Sequence, residues 1–344
     1  MRMMQAQVPT ISSVSTEVSA DQMVRFLSQA RSFKDGSRTV ELQETHISWV
    51  ALTDRRAYKV KKPVSFSFLD YGTLDRRLAA CRDELRLGSR LAPGVYIGYQ
   101  PITRDSFGNV RLGGDGTIVD YCVVMKRLPD DRMLDRLIEH GVATADDIEQ
   151  LLNILVPFYE TAARGVQIDQ FATAGAIERQ ARQNLATIDS TDHGLPGSMF
   201  MRVRASQLQF LKLCAGMFAQ RIRAGRVCEG HGDLRAEHVC MTSPPVVFDC
   251  VEFSQTLRSA DVISELAFLA MDCDFLGAPK LGTALIEGYQ ARTADAPSDA
   301  LTSFYKSYRA CVRAKVELLR ADQESGPAAV RSVTRARRYL QLAR

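Results

Sequence analysis

The feature that most restricts the fold lies late in the chain. It is Glu229-Gly230-His231-Gly232-Asp233-Leu234-Arg235-Ala236-Glu237-His238-Val239, followed by Pro245-Val246-Val247-Phe248-Asp249-Cys250-Val251-Glu252-Phe253. An aspartate on a tight, glycine-assisted loop can stand exposed within reach of a hydroxyl. A second aspartate directly after the apolar run Val246-Val247-Phe248 stands at the end of a buried strand. Two such carboxylates facing one cleft can divide the labour, one accepting a proton and the other holding a divalent metal. The fold must therefore deliver a short strand-rich island, 239–253, into surroundings of a different character.

Those surroundings are helical. After Leu128-Pro129 the periodicity predicts helices at 146–163, 176–186, 206–224, 262–271, 281–291 and 301–319. Before that point the pattern is one of strands, at 39–42, 47–52, 57–60, 95–103 and 118–125, the last two joined by the turn Gly113-Gly114-Asp115-Gly116. A short helix is expected at 21–30. One long helix is expected at 73–91, with Thr73 as N-cap and Pro93-Gly94 ending it. The division reads as a flexible tail, 1–20, a strand-rich lobe, 21–127, and a helical lobe, 128–344. Two-lobed enzymes place ligands in the crevice between lobes, which directs attention to residues near 60, near 126 and in the late island.

Phosphoryl transfer needs positioning and charge neutralisation more than covalent help. Tyr58-Lys59-Val60-Lys61-Lys62 supplies the cation. In strand geometry Lys59 and Lys61 share one face. Lys59, set between Tyr58 and Val60, is the expected inward phosphate-binding lysine, with Lys61 and Lys62 solvated. Glu84, in the middle of the long helix, is its expected counter-charge. Trp49 reads as core, and Asp272 and Asp274 as a polar helix end.

With these residues in view, the chain resembles the aminoglycoside phosphotransferase-like branch of the protein-kinase-like fold. Ala57-Tyr58-Lys59-Val60 looks like its lysine strand, Glu84 like its ion-pair glutamate, His231-Gly232-Asp233-Leu234 like its catalytic loop and Asp249 like its metal-binding acid. More narrowly, Glu44-Thr45-His46-Ile47-Ser48-Trp49-Val50, Tyr58-Lys59-Val60-Lys61-Lys62-Pro63-Val64 and Asp249-Cys250-Val251-Glu252-Phe253 resemble an uncharacterised bacterial group. The longer members of that group often carry a further P-loop ATPase-like domain, of which no GxxxxGK[ST] trace occurs here. The resemblance implies an α+β, two-lobed fold: a small antiparallel-sheet N-lobe with one major helix, and a larger, mainly helical C-lobe. It implies ATP and Mg2+ as cofactors and a hydroxyl of a small-molecule substrate as acceptor, or else a nucleotide-binding pseudokinase without turnover.

By the same resemblance Asp233 is the catalytic base, with His231 holding its loop and Arg235 beside the acceptor. Lys59 contacts the nucleotide phosphates, Glu84 orients Lys59, and the backbone at Met125, Lys126 and Arg127 meets the adenine edge. Asp249 is the metal ligand, and Asp261 a structural acid that braces the loop. Where the pattern has Asn as second metal ligand, five residues after the base, this chain has His238. Where it has a glycine-rich loop, this chain has Gln43-Glu44-Thr45-His46.

Composition narrows the alternatives. The net charge of +4 is spread without a basic block, so nucleic acid is not an implied partner. No apolar stretch approaches the roughly 20 residues that span a bilayer, so no membrane partner is expected. The first residues lack a signal-peptide core. Eight scattered cysteines with no CxxC pair read as reduced thiols of a cytoplasmic protein, and a zinc site is not expected. Oligomeric state is not legible.

Overall fold

A computed structural model of the chain describes residues 18–66, 69–191 and 193–344. The expected tail, 1–20, lies outside the described residues except for its last three. There Ser19 caps the first helix, α1 (Ala20–Leu27), by accepting the Gln22 N–H. The chain divides into two compact units, one of residues 18–82 and 97–127, the other of residues 83–96 and 128–344.

The first unit is built on a six-stranded sheet. Its strands are β1 (Val40–Glu44), β2 (Ser48–Thr53), β3 (Arg56–Lys61), β4 (Tyr96–Arg104), β5 (Val110–Leu112) and β6 (Thr117–Lys126), in the order β1-β2-β3-β6-β4-β5. The pairs β1–β2, β2–β3, β3–β6 and β4–β5 are antiparallel. Alternation along β3 puts Tyr58 and Val60 into a core with Phe26, Phe33, Trp49, Ile102 and Val124, and Lys59 and Lys61 on the opposite face. The strand β5 falls between the two strands expected to be joined by a single glycine turn. Three residues are too few for periodicity to reveal.

Helix α2 (Leu74–Gly88) follows, its Arg76 N–H accepted by Thr73 Oγ1 at 3.3 Å. Arg77 near its start ties it to the sheet, donating from Nε to Asp120 of β6 at 2.9 Å in a buried ion pair.

The second unit is helical: α3 (Leu134–Glu139), α4 (Ala145–Thr161), α5 (Ala174–Asp189), α6 (Gly197–Leu213), α7 (Ala215–Arg223), α8 (Val262–Phe275), α9 (Pro279–Arg292), α10 (Asp299–Ala321) and α11 (Gly326–Leu342). The single helix expected at 206–224 is two helices that meet at Cys214, which leaves helical geometry just before the weak helix former Gly216. Every residue of α8 except Asp274 is buried, Glu265 and Asp272 included. Leu266 and Leu269 of α8 meet Leu151 and Leu155 of α4, Leu285 of α9 and Phe304 of α10 in the main core. A second core joins α5, α6, α8, α10 and α11, where Phe275 and Tyr339 stack at 4.0 Å. Among the described residues no helix is long and apolar enough to cross a membrane.

Four short strands interrupt these helices. β7 (Val227–Glu229) pairs antiparallel with β10 (Ser259–Asp261), and β8 (Val239–Cys240) with β9 (Val246–Val247). The loop after β7 and the loop after β9 carry the two aspartates that the sequence singled out.

Candidate functional site

The loop from Gly230 to His238 is held by its backbone. The buried Glu265 of α8 accepts the N–H groups of His231 and Gly232, and the Tyr159 hydroxyl donates to the same carboxylate at 3.1 Å. A Cβ at Gly230 would collide with that carboxylate. Gly232 turns the chain at φ +90°, and a Cβ there would press on Val251 at 3.0 Å. Downstream, Asp272 of α8 accepts the Ala236 N–H at 2.9 Å. Asp272, in the last turn of α8, is therefore also a buried anchor of the loop.

His231 uses both ring nitrogens inside the loop. Its Nε2 lies 2.9 Å from the Phe248 carbonyl, which can only accept, so Nε2 carries the hydrogen. Its Nδ1 accepts the Asp233 N–H at 3.3 Å. Burial pushes its pKa down, in keeping with a neutral ring. The ring thereby links the Asp233 loop to the residue before Asp249.

Asp249 stands in the left-handed region, φ +61°, and donates its N–H to the Tyr96 hydroxyl at 3.0 Å. Its side chain is 41% exposed. Beside it, the Val251 N–H and the Cys250 thiol both donate to the His231 carbonyl. Arg90, two residues past α2, donates to the carbonyls of Glu229 and Gly230 and to Cys250 Sγ, so one guanidinium clamps both loops. Arg258 does the same from the other side, reaching Glu229 and the carbonyls of Val251 and Glu252.

Between the aspartates lies His238. Its Nδ1 is 2.8 Å from the Asp233 carbonyl and 3.5 Å from Asp233 Oδ2, and its Nε2 is 3.6 Å from Asp249 Oδ2. Arg235 is buried, with Nε 3.4 Å from Asp233 Oδ2 and its other end paired with Glu237. The Asp233 side chain is 29% exposed. Burial by itself would raise its carboxyl pKa, but Arg235, His238, Arg313 and His231 outweigh it and hold the group below the ordinary carboxylate value. It is an ionised, oriented acceptor at neutral pH.

Asp261 sits behind this assembly. Arg221 grips it with two hydrogen bonds of 2.7 Å and also binds Asp295, while Asp261 Oδ1 caps α8 through the Ile263 N–H. Because β10 pairs with β7, this buried network fixes the strand that enters the Asp233 loop.

The second unit thus gathers His231, Asp233, Arg235, His238 and Asp249. Glu84 is buried on α2; near it in the chain, Arg86 pairs with Asp83, and Arg90 holds the loop. In the first unit Lys59 pairs in register with Val123, and Met125 and Lys126 continue the same ladder opposite Ala57 and Arg56. The Arg127 N–H donates to Arg55 O at 3.0 Å.

The solvated lysines expected beside Lys59 are not solvated. Lys61 is fully buried, with Nζ 5.1 Å above the Tyr71 ring. Lys62 is largely covered, pairing with Glu44 at 2.6 Å and lying over Trp49. The strand is central, so even its polar face is covered. The residues that sequence reasoning missed are Arg90, Tyr96, Arg258 and Glu265. Each acts on a segment far away in the chain, and no local pattern marks them.

No protein-family model matches the chain. Uncharacterised proteins of Mycobacterium tuberculosis strain H37Rv and of Mycobacterium bovis are 35% identical to it over 307 residues, which is 88% of this chain and 60% of theirs. The chain therefore spans about 60% of the length of those curated relatives. Among solved structures, the GDP and kanamycin complex of APH(2")-IIia is similar with a TM-score of 0.54 and 13% identity, covering 94% of this chain and 98% of that one. The GDP complex of wild-type aminoglycoside 2'-phosphotransferase-IIIa follows with a TM-score of 0.51 and 14% identity over the same shares. At such identities the likeness speaks for the fold, and the fold of this chain is that of the aminoglycoside phosphotransferases, within the protein-kinase-like class.

Proposed function

We propose that the protein is an ATP-dependent phosphotransferase that acts on a hydroxyl of a small molecule. One observation carries the reading: Asp233 and Asp249, sixteen residues apart in the chain, stand on either side of one imidazole, at 3.5 Å and 3.6 Å from its two nitrogens. Asp233, ionised and held by Arg235, would accept the hydrogen bond of the acceptor hydroxyl and take its proton as the new bond forms. Asp249 would hold a divalent cation on the nucleotide, and that cation neutralises phosphate charge when bound. Lys59 and Glu84 take in this proposal the phosphate-binding roles that the resemblance implies, and the backbone at Met125, Lys126 and Arg127 the adenine-binding role. His231 acts through the loop, as a positioning residue.

The expected outcome is ATP turnover with one member of a panel of hydroxylated metabolites, falling by about 10²-fold or more in Asp233→Asn. Equal turnover in the two proteins would remove Asp233 from the mechanism. A second reading, a nucleotide-binding module without turnover, draws on the same imidazole. As an imidazolium, His238 would form ion pairs with Asp249 and Glu237 and compete with a metal there. Stabilisation by ATP that is indifferent to divalent cations, with no turnover on any acceptor, would favour that module.

A further inference from the structure

We propose that His238 Nε2 is itself a ligand of the nucleotide's divalent cation, and that the site therefore favours a first-row transition ion such as Mn2+ over Mg2+. The inference rests on the nucleotide-binding part of the reading above and goes beyond it in naming the ion and a nitrogen ligand.

The donor set is the first argument. His238 Nδ1 lies 2.8 Å from the Asp233 carbonyl, an acceptor only, so Nδ1 carries a hydrogen. A neutral ring in this orientation puts its lone pair on Nε2, on the side of Asp249. A ring nitrogen donating to a backbone carbonyl, with the other nitrogen aimed outward, is the arrangement that orients metal-binding histidines. His238 is nine-tenths buried, and Nε2 has only two partners among the described residues. These are the carboxylates of Asp249 and Glu237, both at 3.6 Å, beyond hydrogen-bond distance. Glu237 is already paired with Arg235.

The spacing is the second argument. Two donors about 2.1 Å from one ion, at angles between right and trigonal, stand roughly 3.0–3.7 Å apart. The 3.6 Å between His238 Nε2 and Asp249 Oδ2 lies in that interval. Among the described residues no group of three His, Cys, Asp or Glu side chains is placed to hold a metal. The protein offers two donors, and phosphate and water oxygens would complete the shell. Mg2+ does not fit this pair well. It prefers oxygen and gives up its water reluctantly, whereas imidazole affinity rises from Mn2+ along the first transition row.

The test is pulsed electron paramagnetic resonance of Mn2+ with ADP on the full chain, with unlabelled protein and with protein labelled with 15N at histidine alone. The expected result is a directly coupled nitrogen that changes isotope with the label and disappears in His238→Asn and His238→Gln. Displacement of Mn2+ by Mg2+ should become about tenfold easier in those variants. Bound Mn2+–ADP without a histidine coupling in the wild-type protein would overturn this inference and leave the phosphotransferase reading standing. Failure to bind Mn2+–ADP at all, by calorimetry, would overturn both. Because the wild-type spectrum decides the matter, a variant that folds poorly cannot mask the answer.

Discussion

Asp249 combines two demands in one residue. Its carboxylate faces the site, and its backbone adopts φ +61°. Left-handed geometry costs an ordinary side chain about 1 kcal/mol or more, but Asp and Asn tolerate it because their short polar groups bond locally. The two demands can be separated by substitution. Asp249→Asn should keep the wild-type thermal midpoint within a degree or two while abolishing metal-dependent nucleotide binding. Asp249→Ala should lose the same binding and about 1 kcal/mol of stability besides. Denaturant unfolding of the pair checks this, and equal stability of the two variants would show that the backbone does not constrain the residue.

Between elements, the decisive contact is the end of α2 against the start of β4. Gly88 closes α2, and a Cβ on it would overlap the Tyr96 ring. The hydroxyl of that ring receives the Asp249 N–H. A glycine more than 160 residues from the second aspartate thus helps to set its backbone. Gly88→Ala must displace the ring and should cost about 1–3 kcal/mol. Tyr96→Phe removes one hydrogen bond and should cost about 1 kcal/mol. The double variant should cost less than the sum of the two single variants, since the first change already disturbs the bond that the second deletes. Full additivity in urea unfolding would mean that the ring does not transmit the effect. The sequence reading set Gly88 inside the helix expected at 73–91 but had no means of seeing Tyr96 there.

For the molecule as a whole, the eight cysteines, none of them in a disulfide, report how tightly each unit is packed. Seven are buried, and Cys214, at the junction of α6 and α7, is partly exposed. Burial pushes the thiols of Cys250 and Cys311 up to about 12, and that of Cys240 to about 11. The thiolate is the reactive form, so at pH 8 these groups are doubly protected, by access and by protonation. Alkylation of the native protein should modify Cys214 alone in the fast phase, and all eight sites after denaturation. A second fast site, located by peptide mass spectrometry, would show that one of the cores opens readily.

Periodicity, turn residues and the order of charged residues determined much by themselves: a strand-rich part followed by a helical part, the start of α2 after Thr73, and the two aspartates as candidates for the chemistry. These features are local, written in windows of a few residues, and the α+β two-lobed fold followed from them. Tertiary structure alone decided which polar residues would be buried. Lys61, Asp272, Glu265 and Arg221 carry no local mark, because their burial is set by partners from other segments. It also decided the direction of His238, since a ring orients toward whatever carbonyl the folded loop presents. A charge can be taken out of water only where another segment supplies its counter-charge or hydrogen bonds, and that supply exists only once the chain has closed.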